Sequence, residues 1–101
     1  MQSARLVSSG SGVFRLEGAL DFDTVPLLLA ESEALFRGLP KITVDLAGVT
    51  HANSAALGLL LEWVDRTQAA GQQIRFLHLP DALAEIARVS HVTSLLEDVI
   101  E

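Results

Sequence analysis

The run Lys41-Ile42-Thr43-Val44-Asp45-Leu46, followed by Val49-Thr50-His51-Ala52-Asn53-Ser54-Ala55-Ala56-Leu57-Gly58-Leu59-Leu60-Leu61, decides the architecture. The first part reads as a strand. It is nearly continuous in apolar residues, the pattern of a strand covered on both faces. A short loop follows and ends in Asn53-Ser54, two residues that cap helices well. A helix of small and aliphatic residues then runs to about Ala70, and Gly71 ends it. A strand-loop-helix unit of this kind leaves free backbone N–H groups around a hydroxyl at the helix start. Ser54 either caps the helix or is presented to a partner.

Upstream, Leu6-Val7-Ser8 and Val13-Phe14-Arg15-Leu16-Glu17 flank Ser9-Gly10-Ser11-Gly12, the pattern of a β-hairpin. Gly18 to Asp23 reads as a loop. Thr24 is a candidate N-cap, and Pro26 suits the first turn of a helix running to about Arg37. Val25, Leu28, Leu29, Ser32, Leu35 and Phe36 share one face of it. Downstream, Gln73 to Leu77 reads as a strand and Pro80-Asp81 opens a third helix. The tail from His91 is open to two readings: a last helical turn at Leu95-Leu96, or a short edge strand at Val99-Ile100.

The order β-β-α-β-α-β-α predicts one α/β domain over residues 1–101. Its sheet is mixed, with four to five strands: parallel neighbours joined right-handedly and an antiparallel edge. Leu16, Leu28, Leu35, Val44, Leu57, Leu61, Val64, Phe76 and Ile86 are the expected core.

Composition narrows the function. Seven basic residues against thirteen acidic give a net charge of −6. That balance disfavours nucleic acid and anionic lipid surfaces as partners. The chain has no cysteine, so no disulfide or thiolate chemistry is available. The first residues lack the form of a signal peptide, and no apolar run approaches the roughly 18 residues of a membrane span. A soluble cytoplasmic protein without direct membrane insertion is expected.

Ser54, His51, Asp21 and Asp23 superficially suggest a hydrolase. Nucleophilic catalysis needs a base on the serine, an orienting acid and an oxyanion hole, and no such signature surrounds Ser54. His51, His78 and His91 lack metal-ligand spacing. Asp21 and Asp23 suit the start of the next helix, where acids complement the dipole. The expectation is a protein without enzymatic activity, metal or cofactor.

On the second helix, Leu57, Leu60, Leu61 and Val64 form the expected core stripe, widened by Ala56, Leu59 and Trp63. The remaining arc holds Asn53, Ser54, Ala55, Gly58, Glu62, Asp65 and Arg66. A solvent-facing helical glycine costs about 1 kcal/mol relative to alanine. Gly58 therefore suggests close approach of another backbone or side chain, and Asn53, Ser54, Ala55, Gly58 and Glu62 are the candidate partner-binding residues.

Two segments together resemble the STAS domain family (sulfate transporter and anti-sigma factor antagonist). Gly18-Ala19-Leu20-Asp21-Phe22-Asp23-Thr24-Val25-Pro26 looks like its strand-to-helix signature. Asn53-Ser54-Ala55-Ala56-Leu57-Gly58 is similar to its phosphoacceptor motif Asp-Ser-Ser-Gly-Leu-Gly, matching at Ser54, Leu57 and Gly58. The resemblance implies the STAS fold and two competing functions. In one, the chain resembles MlaB, the small STAS subunit of the Mla phospholipid transporter, as the leucine-rich run after Gly58 suggests. It would then bind an MlaF-like cytoplasmic ATPase in a complex with a membrane permease, at the inner membrane, and support outer-membrane lipid asymmetry. In the other, it is an anti-sigma factor antagonist switched by phosphorylation of Ser54. The sequence favours the first.

Overall fold

The computed structural model describes residues 3–101. Eight elements follow in chain order: β1 (Ala4–Gly10), β2 (Val13–Leu20), α1 (Val25–Phe36), β3 (Lys41–Ala52), α2 (Ser54–Ala69), β4 (Gln73–Leu77), α3 (Asp81–Val89) and α4 (Thr93–Leu96). The sheet has four strands in the order β1-β2-β3-β4. β1 and β2 form the antiparallel hairpin, and β2, β3 and β4 run parallel. In the tail the helical reading holds, with α4 making a turn, while the edge-strand reading reduces to a single bridge from Ile100 to Phe76 alongside β4.

Strand order explains one correction. Each crossover, β2-α1-β3 and β3-α2-β4, steps in the same direction across the sheet. Right-handed connections then place both helices on the same face. β3 is accordingly covered on one face and alternates: Ile42, Val44 and Leu46 are buried, while Thr43 and Asp45 are half-buried on the other face. The covered face also presents Leu6, Phe14, Leu16, Ile74 and Phe76 to the helices. The open face carries Arg5, Arg15, Glu17 and Arg75. There Glu17 accepts from Arg5 at 2.9 Å and from Arg15 at 2.6 Å.

β2 and β3 are longer than the sequence suggests. Pairing persists through Leu20 and Ala52, beyond the hydrophobic runs, because the register shifts twice and keeps the ladder closed. The stretch read as a loop after Glu17 thus begins as strand. Gly18 permits one of these irregularities: its φ is +97°, and a Cβ there would lie 2.1 Å from the Ser3 carbonyl oxygen.

The core is built around aromatic contacts. Phe14 meets Phe36 at 5.2 Å between ring centroids, Phe36 meets Trp63 at 5.4 Å, and Trp63 meets Phe76 at 6.4 Å. Trp63 Nε1 donates to Ser32 Oγ at 2.8 Å, so the buried indole N–H and the buried α1 hydroxyl satisfy each other. Leu16, Leu28, Val44, Leu57, Val64 and Phe76 are buried as expected. Leu35 is not: it is 38% exposed. In the last turn of α1 Phe36 takes the core position, packed against Phe14 and Trp63, and leaves Leu35 at the rim. Leu61 and Ile86 are half-buried at the edge of the core.

Candidate functional site

The carboxyl ends of β2 and β3 bring two turns together, the β2–α1 turn and the start of α2. The Asn53 N–H donates to the Leu20 carbonyl at 3.3 Å, tying one to the other.

In the first turn, Asp21 Oδ1 accepts from the N–H groups of Asp23 and Thr24, both at 2.9 Å. Thr24, the expected N-cap, instead sends its hydroxyl back to the Ala19 carbonyl at 2.8 Å and accepts from the Asp21 N–H at 3.0 Å. Its backbone is helical and its side chain caps nothing. Asp21 thus holds the turn that leads into α1: its side chain serves the Asp23 and Thr24 N–H groups and its carbonyl accepts from the Val25 N–H at 3.0 Å. The Thr24 N–H holds the Asp21 carboxyl below the ordinary aspartate range, aided by the Asp23 N–H and by the charge of nearby His51. Asp23 is exposed and makes no such bond with its carboxylate.

At α2, Asn53 is the N-cap: its backbone is extended and its side chain accepts from the Ala55 N–H at 2.9 Å. Ser54 is the first helical residue and is exposed. The two residues that looked equally suited to capping thus divide the work, and the hydroxyl faces outward.

The structure divides α2 along its length. Ala56, Leu59, Leu60 and Trp63 are at most 1% exposed, whereas Leu57 and Val64 flank that stripe at 6% and 9%. The centre of the buried face thus lies on the Trp63 side of the stripe read from sequence. That rotation draws Ala55 into the core at 8% exposure. Ala55 was expected on the open arc; its methyl fills core space instead. Ser54, Gly58, Asp65 and Arg66 are exposed, and Asn53 and Glu62 are half-buried. Glu62 accepts from Arg66 at 3.1 Å, and Arg66 also reaches Glu33 of α1 at 3.4 Å. Gly58 sits in the open arc, and a Cβ added there would meet nothing within 4 Å.

This arrangement presents a surface, with the Ser54 hydroxyl exposed at the start of α2. Among the described residues, no group of three His, Asp or Glu side chains could hold a metal ion. No helix among them is long and apolar enough to cross a membrane. Sequence reasoning missed Phe22, which stands in the β2–α1 turn at 71% exposure. Its position between Asp21 and Asp23, outside any periodic pattern, was the available signal.

The family model described as "Mlab, STAS domain" matches residues 5–97. The chain belongs to the STAS domain family. Among curated proteins, none matches it by sequence. Solved structures share its fold, two structures of SpoIIAA among them. The anti-sigma factor antagonist SpoIIAA in its unphosphorylated form aligns with a TM-score of 0.71 at 20% identity, over 97% of this chain and 85% of that one. The Bacillus cell fate determinant SpoIIAA in its phosphorylated form aligns with a TM-score of 0.70 at 18% identity, over 97% and 88%. At these identities the likeness concerns the fold of this STAS domain. The strand order, the helices on one face and the outward serine at the start of α2 are this chain's own geometry.

Proposed function

We propose that this STAS domain is a non-catalytic docking subunit that binds the cytoplasmic ATPase of an Mla-type ABC phospholipid transporter. In that role it supports assembly or activity of the complex at the inner membrane, and through it outer-membrane lipid asymmetry. The match to a family model of MlaB-like description favours the transporter partner. One observation carries the docking role: Gly58 is exposed in the second turn of α2, and among the described residues nothing needs a glycine there. Helix propensity alone would select alanine. A glycine with open space above it is explained by another molecule coming close to the helix backbone. Asn53, Ser54 and Glu62 border that point, and Ala55 supports it from beneath.

The second reading, an anti-sigma factor antagonist regulated at Ser54, is favoured by the exposure of that hydroxyl at the helix start. A phosphate there would add about −1.5 to −2 charges at neutral pH. The helix dipole would tolerate it, but an apolar or acidic partner surface would not.

The test is co-purification of the tagged chain with the transporter. Wild type should retain the ATPase and permease. Ser54→Glu should lose them while its circular dichroism spectrum stays unchanged, because an unpaired charge in an interface centre is strongly unfavourable. Recovery of an anti-sigma kinase in place of the transporter would establish the second reading. A folded Ser54→Glu protein that still assembles would place the interface elsewhere.

A further inference from the structure

The chain has five aromatic residues, and four of them, Phe14, Phe36, Trp63 and Phe76, lie in the core. The fifth, Phe22, is 71% exposed, and Leu27 in the first turn of α1 is 66% exposed. Among the described residues no other large apolar side chain is as exposed as these two. Single exposed apolar residues are ordinary, but Leu27 lines a groove, and Phe22 stands in sequence between two more of its lining residues, Asp21 and Asp23.

The groove lies between the start of β1 and the beginning of α1, with a volume of about 600 Å³. Ala4 and Leu27 supply apolar lining, and every charged residue lining it is acidic: Asp21, Asp23 and Glu31. Asp21 is committed to backbone N–H groups. Asp23 and Glu31 form no ion pair among the described residues. Four of the seven basic residues, Arg5, Arg15, Lys41 and Arg75, belong instead to the open face of the sheet.

We infer that this groove docks a segment of a partner protein in which an apolar side chain is flanked by arginine or lysine. The apolar side chain gains by leaving water against Leu27 and Ala4. The cations meet carboxylates with no existing pair to break, so charge complementarity selects for them and against acidic segments. The groove adjoins the α2 site through the Asn53–Leu20 hydrogen bond, so one partner can engage both. The inference shares with the proposed function only that this chain is a docking module, and it does not depend on the partner being a transporter ATPase.

The test is an NMR titration of the full ¹⁵N-labelled chain with two short synthetic peptides. One carries a leucine flanked by arginines, and the other has glutamate in place of each arginine. The arginine peptide should shift the resonances of Phe22, Asp23, Leu27 and Glu31, and the glutamate peptide should not. Leu27→Ser and the double change Asp23→Lys with Glu31→Lys should each weaken binding about tenfold or more. Binding should fall as salt rises. These side chains are exposed, so the variants should keep the wild-type circular dichroism spectrum. Equal response to both peptides, shifts confined to other surfaces, or no binding would overturn the inference. So would concentration-dependent self-association abolished by Leu27→Ser, because a second copy would then be the occupant. If Gly58→Arg abolishes ATPase binding while the arginine peptide leaves the groove resonances of the wild-type chain unshifted, the inference fails and the proposed function stands. Arginine-peptide binding at the groove, in a chain with no affinity for the ATPase, gives the reverse.

Discussion

On its buried side α2 carries Leu59, Leu60 and Trp63, each at most 1% exposed; on its open side it carries Ser54, Gly58 and Asp65. The first set explains itself within the chain. Trp63 packs tilted against Phe36 of α1, stacks on Phe76 of β4 and satisfies its N–H on Ser32, so every feature of it has an internal partner. The second set does not. Gly58 has open space above it and lowers helix stability for no internal gain. One helix thus separates residues that hold the fold from residues that the fold does not need. The second kind is where a docking function is to be sought.

The largest expected effects lie on the buried side. Leu60→Ala should destabilise the domain by about 2–5 kcal/mol, because it empties a fully enclosed site. Leu61→Ala, at the half-buried edge, should cost less than half as much. Urea denaturation of both variants measures the contrast, and equal losses would blur the boundary between the two sides.

A smaller effect separates the two residues at the start of α2. Asn53→Ala removes the cap on the Ala55 N–H and should cost about 0.5–2 kcal/mol. Ser54→Ala should stay within about 0.5 kcal/mol of wild type, as for exposed positions without a structural role. If thermal melts show the larger loss at Ser54, its hydroxyl is structural and the functional reading of it falls.

The smallest effect concerns pH. Asp21 is held below its ordinary value of about 3.8, chiefly by the Thr24 N–H. A group whose folded pKa is lowered adds stability that is present above its unfolded pKa. That stability is lost as pH falls through the folded value. Wild type should therefore lose stability on acidification below about pH 4, and Asp21→Asn should lose less over the same interval. Thermal melts from pH 6 downward test this. An identical acid dependence in both proteins would remove Asp21 from its role at the start of α1.

Much of the architecture was legible from residue spacing. The alternation in Val13 to Glu17, the small-residue start of α2 and the glycine after Ala70 define elements where the structure has them. Whether the second face of β3 was covered could not be read from the apolar run, because coverage depends on the direction of both crossovers. Leu35 was misassigned for a local reason: the three-to-four residue period admits both it and Phe36, and only packing against Phe14 and Trp63 chooses between them. At the site, Gly58 was legible as a helical glycine without a local reason. Ala55 was not, since its burial follows from a modest rotation of α2 that spacing does not fix. Division of the cap between Asn53 and Ser54 likewise depends on backbone angles, which two good capping residues in succession do not reveal.

Gly58 tests the central claim most directly, through parallel measurement of fold stability and ATPase affinity in Gly58→Ala and Gly58→Arg. Inside the chain both side chains enter open space. Gly58→Ala should raise stability by up to about 1 kcal/mol, and Gly58→Arg should leave the domain folded and no less stable than wild type. At the interface, the bulk and charge of arginine should weaken ATPase binding by about a hundredfold or more. A Gly58→Arg domain that is folded and binds the ATPase with wild-type affinity would contradict the account, because the open arc of α2 would then have no partner to explain it.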